Sequence, residues 1–202
     1  YFLRAIQFGQ DGSFSWEDMS ARYNAELANG LGNLASRVTA MTQRYFDGIL
    51  PAATDAAAAE RHVADVAERV VSEADAAVVA LDFSGGLGAI WELVGTLNLY
   101  LSEQEPWKVA KNIDDPVAKA RVATVLYTAA EGLRVLAVLL NPVMPRSSAL
   151  LWSALGAGEH LGELSAQRIA EAGRWGQLPA GATLTKGESL FPRLSDDAPV
   201  AD

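Results

Sequence analysis

Asn29, Asn33 and Arg37 stand four residues apart in the run Asn29-Gly30-Leu31-Gly32-Asn33-Leu34-Ala35-Ser36-Arg37. On an α-helix, residues four apart lie nearly above one another, so this spacing predicts a polar stripe of two carboxamides and a guanidinium. Leu27, Leu31, Leu34, Val38 and Met41 fall on another side, the pattern of a face packed against neighbouring helices. A carboxamide offers a donor and an acceptor together, and Arg forks onto two acceptors; both suit the edges of nucleic-acid bases. A solvated helix face has the same spacing, and the stripe alone does not separate the two readings.

The second chemical candidate is Trp107, in Glu105-Pro106-Trp107-Lys108. Pro106 biases Glu105 away from helical geometry and is itself suited to start a new turn. A Trp at that place is either core or a plane on which an unstacked base can lie. Fixed hydrogen-bonding groups and an aromatic plane are the two components that single-stranded nucleic-acid recognition needs. Stacking is worth about 1–3 kcal/mol per base, comparable to a good bidentate base contact.

Charge bears on that reading. The formal net charge is −9, which disfavours a broad phosphate cradle. The acid is unevenly placed, however. From Asp55 to Asp82 seven acids meet only Arg61 and Arg69, whereas Arg22, Arg37 and Arg44 around the stripe face only Glu26 and Asp47. A partner held by a few base contacts fits this distribution.

Helices must carry these groups, and the sequence marks their ends. Ser15-Trp16-Glu17-Asp18 matches a capping box and predicts a long helix over residues 15–46, with a kink or break at Gly30 and Gly32. Thr54 or Asp55 is expected to cap a second helix reaching about residue 81, with His62 on its surface. Ser84-Gly85-Gly86 opens a third, on which Asn98 is expected to tie helices together. Asp114-Asp115-Pro116 opens a fourth, with Val122, Val125, Leu126, Leu133, Leu136 and Leu140 at bundle spacing. A short helix follows over 146–155, then an extended or docked tail over 184–194 and a frayed end over 195–202. The fold class is all-α: an antiparallel helical bundle with a short extended C-terminal tail.

Catalysis finds little support. There is no Cys, and only His62 and His160 could serve a metal site or triad. Gly85-Gly86-Leu87-Gly88 lacks the Lys and Ser/Thr of a phosphate loop. Asp114-Asp115 and Asp196-Asp197 suit a helix cap and a solvated tail better than an acid/base couple. No apolar run reaches the roughly 18 residues a membrane span requires, and no signal peptide opens the chain. A soluble cytoplasmic protein is the expectation.

Several motifs in order then carry a family resemblance. Asn29 with Asn33-Leu34-Ala35-Ser36-Arg37, then Tyr45-Phe46-Asp47-Gly48, Asn98 with Tyr100, and Glu105-Pro106-Trp107-Lys108 resemble the C-terminal region of bacterial methionyl-tRNA synthetases. Tyr1-Phe2-Leu3-Arg4 and Phe8-Gly9-Gln10-Asp11-Gly12 look like that family's segment joining catalytic core to C-terminal region, and Leu190-Phe191-Pro192-Arg193 like its tail. The resemblance implies a helical anticodon-binding domain of the class I synthetase type. Residues 1–14 would be the link to the core, 15–157 the anticodon-binding domain, and 158–202 a C-terminal part packing back on bundle or core.

By resemblance, Trp107 stacks on the first anticodon base, Asn33 and Arg37 make polar contacts, and Asn29 and Pro106 support them. The implied partners are methionine tRNA, through its anticodon loop, and the catalytic core of the same enzyme, with no membrane. The family's catalytic nucleotide-binding signatures are absent, so the chain looks like a piece of an ATP-dependent methionine–tRNA ligase. The expected consequence is that it activates no methionine by itself; ATP and Mg belong to the parent enzyme. Two alternatives remain: a helical protein-interaction scaffold whose stripe is solvated, or the anticodon domain of another class I synthetase.

Overall fold

The computed structural model describes residues 1–54 and 56–194. A single turn, Phe2–Ala5 (α1), leads through a loop to Trp16–Arg22 (α2), which Ser15 caps by accepting from the Asp18 N–H at 3.0 Å. The helix continues as a π-helical stretch, Tyr23–Gly32, and returns to α geometry in Asn33–Phe46 (α3). The break expected at Gly30 and Gly32 is thus a change of helical pitch and not a kink alone. The Asn33 N–H reaches back five residues to the Ala28 carbonyl. Asn98 makes the expected tie: its Nδ2 donates to the Gly30 carbonyl at 3.4 Å and to the Val94 carbonyl at 2.9 Å.

Ala58–Val79 (α4) and Phe83–Gln104 (α5) lie side by side across a short connection. Asp55 lies outside the described residues, and Thr54 is no cap. Its N–H donates instead to Thr124 Oγ1 at 3.1 Å, docking the connection onto the central helix. The first turn of α4 is served by Glu60, whose carboxylate accepts from the Ala57 N–H at 2.8 Å. After α5 come a single turn, Pro106–Val109 (α6), a 3₁₀ turn Ala110–Asn112, and the central helix Pro116–Leu140 (α7), capped by Asp115. Pro145–Ala154 (α8), Ala157–Leu161 (α9) and Ile169–Ala172 (α10) follow.

α7 is buried all round from residue 128 to residue 140, with helices α3, α4, α5, α8 and α10 packed about it. It corrects the expectation that no apolar run reaches the length of a membrane span: by length and composition this helix does. Its best 18-residue window has a mean hydropathy of 1.6, but 94% of that window is buried inside the protein. Glu131 and Arg134 interrupt the apolar run and conceal its overall hydropathy from a count of consecutive residues.

The extended part predicted over 184–194 is docked. An isolated antiparallel bridge joins Ile49 to Thr183, the Leu184 N–H donates to the Gly48 carbonyl at 2.7 Å, and Thr185 N–H to Ala154 at 2.9 Å. Gly48 has φ +81°, and a Cβ there would sit 3.1 Å from the Leu184 carbonyl oxygen. Only glycine allows both the turn and the approach.

A buried polar knot joins three helices. Glu60 on α4 is 3% exposed and accepts from the Tyr100 hydroxyl on α5 and from Arg121 Nη2 on α7 at 2.9 Å. Burial pushes the Glu60 carboxyl up, but bonds from Arg121, Tyr100 and the Ala57 backbone together outweigh it and hold the group below the usual carboxylate range. A carboxyl whose folded pKa is depressed stabilises the fold above its unfolded value and loses that contribution as pH falls through the folded one. The melting temperature of the wild-type chain is therefore expected to fall below about pH 5 more steeply than that of Glu60→Gln. Parallel pH profiles for the two would show that the knot contributes nothing through its charge.

Candidate nucleic-acid interface

Trp107 owes its position to the residues on either side of it. Glu105 takes a left-handed conformation, φ 42° and ψ 51°, and Pro106 occupies the first position of α6. Pro106 is buried, whereas the indole of Trp107, next to it in the chain, is half-buried. Beyond it, Ala110 packs with Val122 and Leu126 of α7, and Met41, Tyr45 and Phe46 of α3 close over the same small cluster. Lys108 Nζ pairs with the Glu105 carboxylate at 2.6 Å. The indole plane is thus mounted on two long helices instead of a free loop.

This mounting brings Trp107 to Arg37. The guanidinium carbon of Arg37 lies 4.8 Å from the centroid of the Trp107 ring, a cation–π contact between residues on α3 and α6. Asn33, one α-helical turn before Arg37 on α3, is exposed. Leu34, Ala35 and Val38 are buried beneath, so the polar row stands on a fixed support.

Asn29 is placed differently from its two companions. It lies in the π-helical stretch, whose wider turn moves it off the straight line that four-residue spacing on an α-helix predicts. It is exposed, and its Oδ1 accepts from Arg193 Nη2 of the tail. Sequence reasoning missed this partner, and Asn24 as well, whose side chain makes two hydrogen bonds to the Leu194 backbone. The five-residue interval from Asn24 to Asn29 was the available signal, since five is the π-helical hydrogen-bond step.

The row consists of amides, a guanidinium and an indole, which can donate, accept and stack. Among the described residues, no group of three or more His, Asp or Glu side chains is placed to hold a metal ion. The arrangement offers hydrogen-bond donors, acceptors and an aromatic plane on one supported surface.

Comparison with known proteins shows which family carries this fold. Residues 50–201 match the family model described as the anticodon binding domain of methionyl tRNA ligase. The chain belongs to that family. Residues 1–39 match in addition the model for class I tRNA synthetases of the M type, so Arg37 and Trp107 come from two family segments that meet at this surface. The methionine–tRNA ligase of Streptomyces coelicolor is 59% identical over 197 residues, 97% of this chain and 36% of that ligase. The Bacillus subtilis methionine–tRNA ligase is 37% identical over 202 residues, covering 29% of its length.

Among solved structures, the apo form of Mycobacterium tuberculosis methionyl-tRNA synthetase superposes with a TM-score of 0.88 at 34% identity, over 96% of this chain and 38% of that one. The same synthetase bound by methionyl-adenylate gives 0.86. The chain thus spans 36% of the Streptomyces coelicolor ligase. Membership in the methionyl-tRNA ligase anticodon-binding family disfavours both the scaffold reading and another synthetase.

Proposed function

We propose that this chain selects methionine tRNA by reading its anticodon loop, with Trp107 stacking on the first anticodon base and Asn33 and Arg37 hydrogen-bonding to base edges. Asn29 and Pro106 support them, Pro106 from the position before the indole and Asn29 from the neighbouring turn. The observation that carries the reading is the meeting of Arg37 and Trp107, 4.8 Å apart although seventy positions separate them in the chain. The guanidinium lies over one face of the indole, so a base that uses the ring as its stacking plane comes within reach of Arg37.

On this reading, residues 1–14 link to a catalytic core, 15–157 form the reading domain, and 158–202, of which 195–202 lie outside the described residues, form a C-terminal part packing back on the bundle or the core. The parent enzyme attaches methionine to tRNA with ATP and Mg held by its catalytic core, in the cytoplasm and away from membranes. This chain contributes the choice of tRNA and no step of the chemistry.

Arg37→Ala tests the reading where it is most specific. The variant is expected to bind a methionine anticodon stem-loop more weakly and to discriminate less among stem-loops with altered anticodons, by about 1–3 kcal/mol at the base concerned. Competition titrations at one fixed salt concentration measure this. A variant that kept the wild-type order and spacing of affinities would remove Arg37 from base reading.

A further inference from the structure

The C-terminal tail grips the π-helical stretch at three points. Phe191 is buried beside Gly32, where an added Cβ would lie 3.5 Å from its Cδ2, and it meets Tyr23 edge-on with 6.2 Å between ring centroids. The Leu194 N–H donates to Asn24 Oδ1 at 3.0 Å, and Asn24 Nδ2 returns a bond to the Leu194 carbonyl at 3.1 Å. Between them, Arg193 Nη2 donates to Asn29 Oδ1. A guanidinium has donors only, so this contact holds Asn29 by its oxygen and turns its amide nitrogen away from the tail.

We propose that Arg193 is a positioning residue of the anticodon-reading surface, holding the Asn29 carboxamide so that it offers hydrogen-bond donors to an acceptor atom of the anticodon loop. The inference rests on the anticodon reading above. Without Arg193 the exposed Asn29 side chain rotates freely and presents oxygen as often as nitrogen. Binding must then order it, and the carbonyl oxygen of the amide opposes an acceptor in part of the population. The anchor itself is stable, because Phe191 and Asn24 hold the neighbouring tail residues independently of Arg193.

A double-mutant cycle on this chain separates positioning from mere tail docking. The probe is the methionine anticodon stem-loop, with Arg193→Ala, Asn29→Ala, the double variant and Trp107→Ala measured side by side. Arg193→Ala is expected to weaken binding about fivefold, and less than twofold when Asn29 is already Ala. An equal loss in both backgrounds would show that Arg193 acts without Asn29 and overturn the proposal. No loss in Arg193→Ala while Trp107→Ala binds weakly would also overturn it, leaving the anticodon reading intact. Should Trp107→Ala bind like wild type, the anticodon reading itself fails and this proposal with it.

Discussion

Trp107→Ala is expected to weaken binding of the methionine anticodon stem-loop by about 1–3 kcal/mol, roughly 5- to 150-fold, with almost no loss of helicity. The reasoning starts from the seat of the indole. Pro106 is buried and Ala110 packs with Val122 and Leu126, so α6 stays in place when the half-buried Trp107 is truncated. What disappears is the plane for the base and the surface over which Arg37 lies. Stacking is tolerant of base identity, so affinity should fall for every stem-loop and the order of preference should survive. Trp107→Phe keeps a smaller plane and should fall between wild type and Ala. Direct titration, with circular dichroism on the same samples, checks both halves; unchanged affinity in the Ala variant would remove Trp107 from the site.

Glu131→Ala is expected to have the largest effect on stability, a loss of about 3–5 kcal/mol. Glu131 and Arg134 are 0% and 1% exposed in the middle of α7. Arg134 donates to Glu131 Oε1 through Nε at 2.9 Å and Nη2 at 2.8 Å. The same carboxylate accepts from the backbone N–H groups of Gly176, Gln177 and Leu178, while Arg134 Nη2 donates to the carbonyls of Ala172 and Arg174. Removing the carboxylate strands a buried guanidinium and orphans three backbone donors at once.

The segment after α10 is thereby released from α7, and the core loses a wall that includes Leu178. Glu131→Gln preserves shape and one acceptor and should lose less. Urea unfolding of the three proteins measures the series. A loss below about 1 kcal/mol in the Ala variant would show that the pair is not what fastens the C-terminal segment.

The capping residues made much of this fold legible. Ser15 and Asp115 cap helices where the sequence places them, Asn98 ties α5 to the π-helical stretch, and α7 follows from its apolar repeat. Local hydrogen-bonding groups and periodicity are properties of neighbouring residues, so a single sequence displays them. The π-helical pitch was not legible, because two glycines announce weakened α geometry without saying which geometry replaces it. Nor was Glu131–Arg134 found, since a Glu and an Arg three apart on a helix look like a surface pair until the helix proves to be buried all round.

At the candidate site the same division holds. The spacing of Asn33 and Arg37 was visible in sequence, and so was the proline before Trp107. That Arg37 lies on Trp107, and that Arg193 holds Asn29, are long-range facts set by how α6 and the tail dock, which no local pattern encodes.

The most direct measurement is a comparison of RNA affinities for the unaltered chain. Anticodon stem-loops identical except in the three anticodon bases are titrated against it at one low salt concentration, where weak binding is easiest to see. The account predicts that the methionine anticodon binds tightest and that changing a base whose edge Asn33 or Arg37 reads weakens binding by about 1–3 kcal/mol. Equal binding of all stem-loops, or of none, would contradict it.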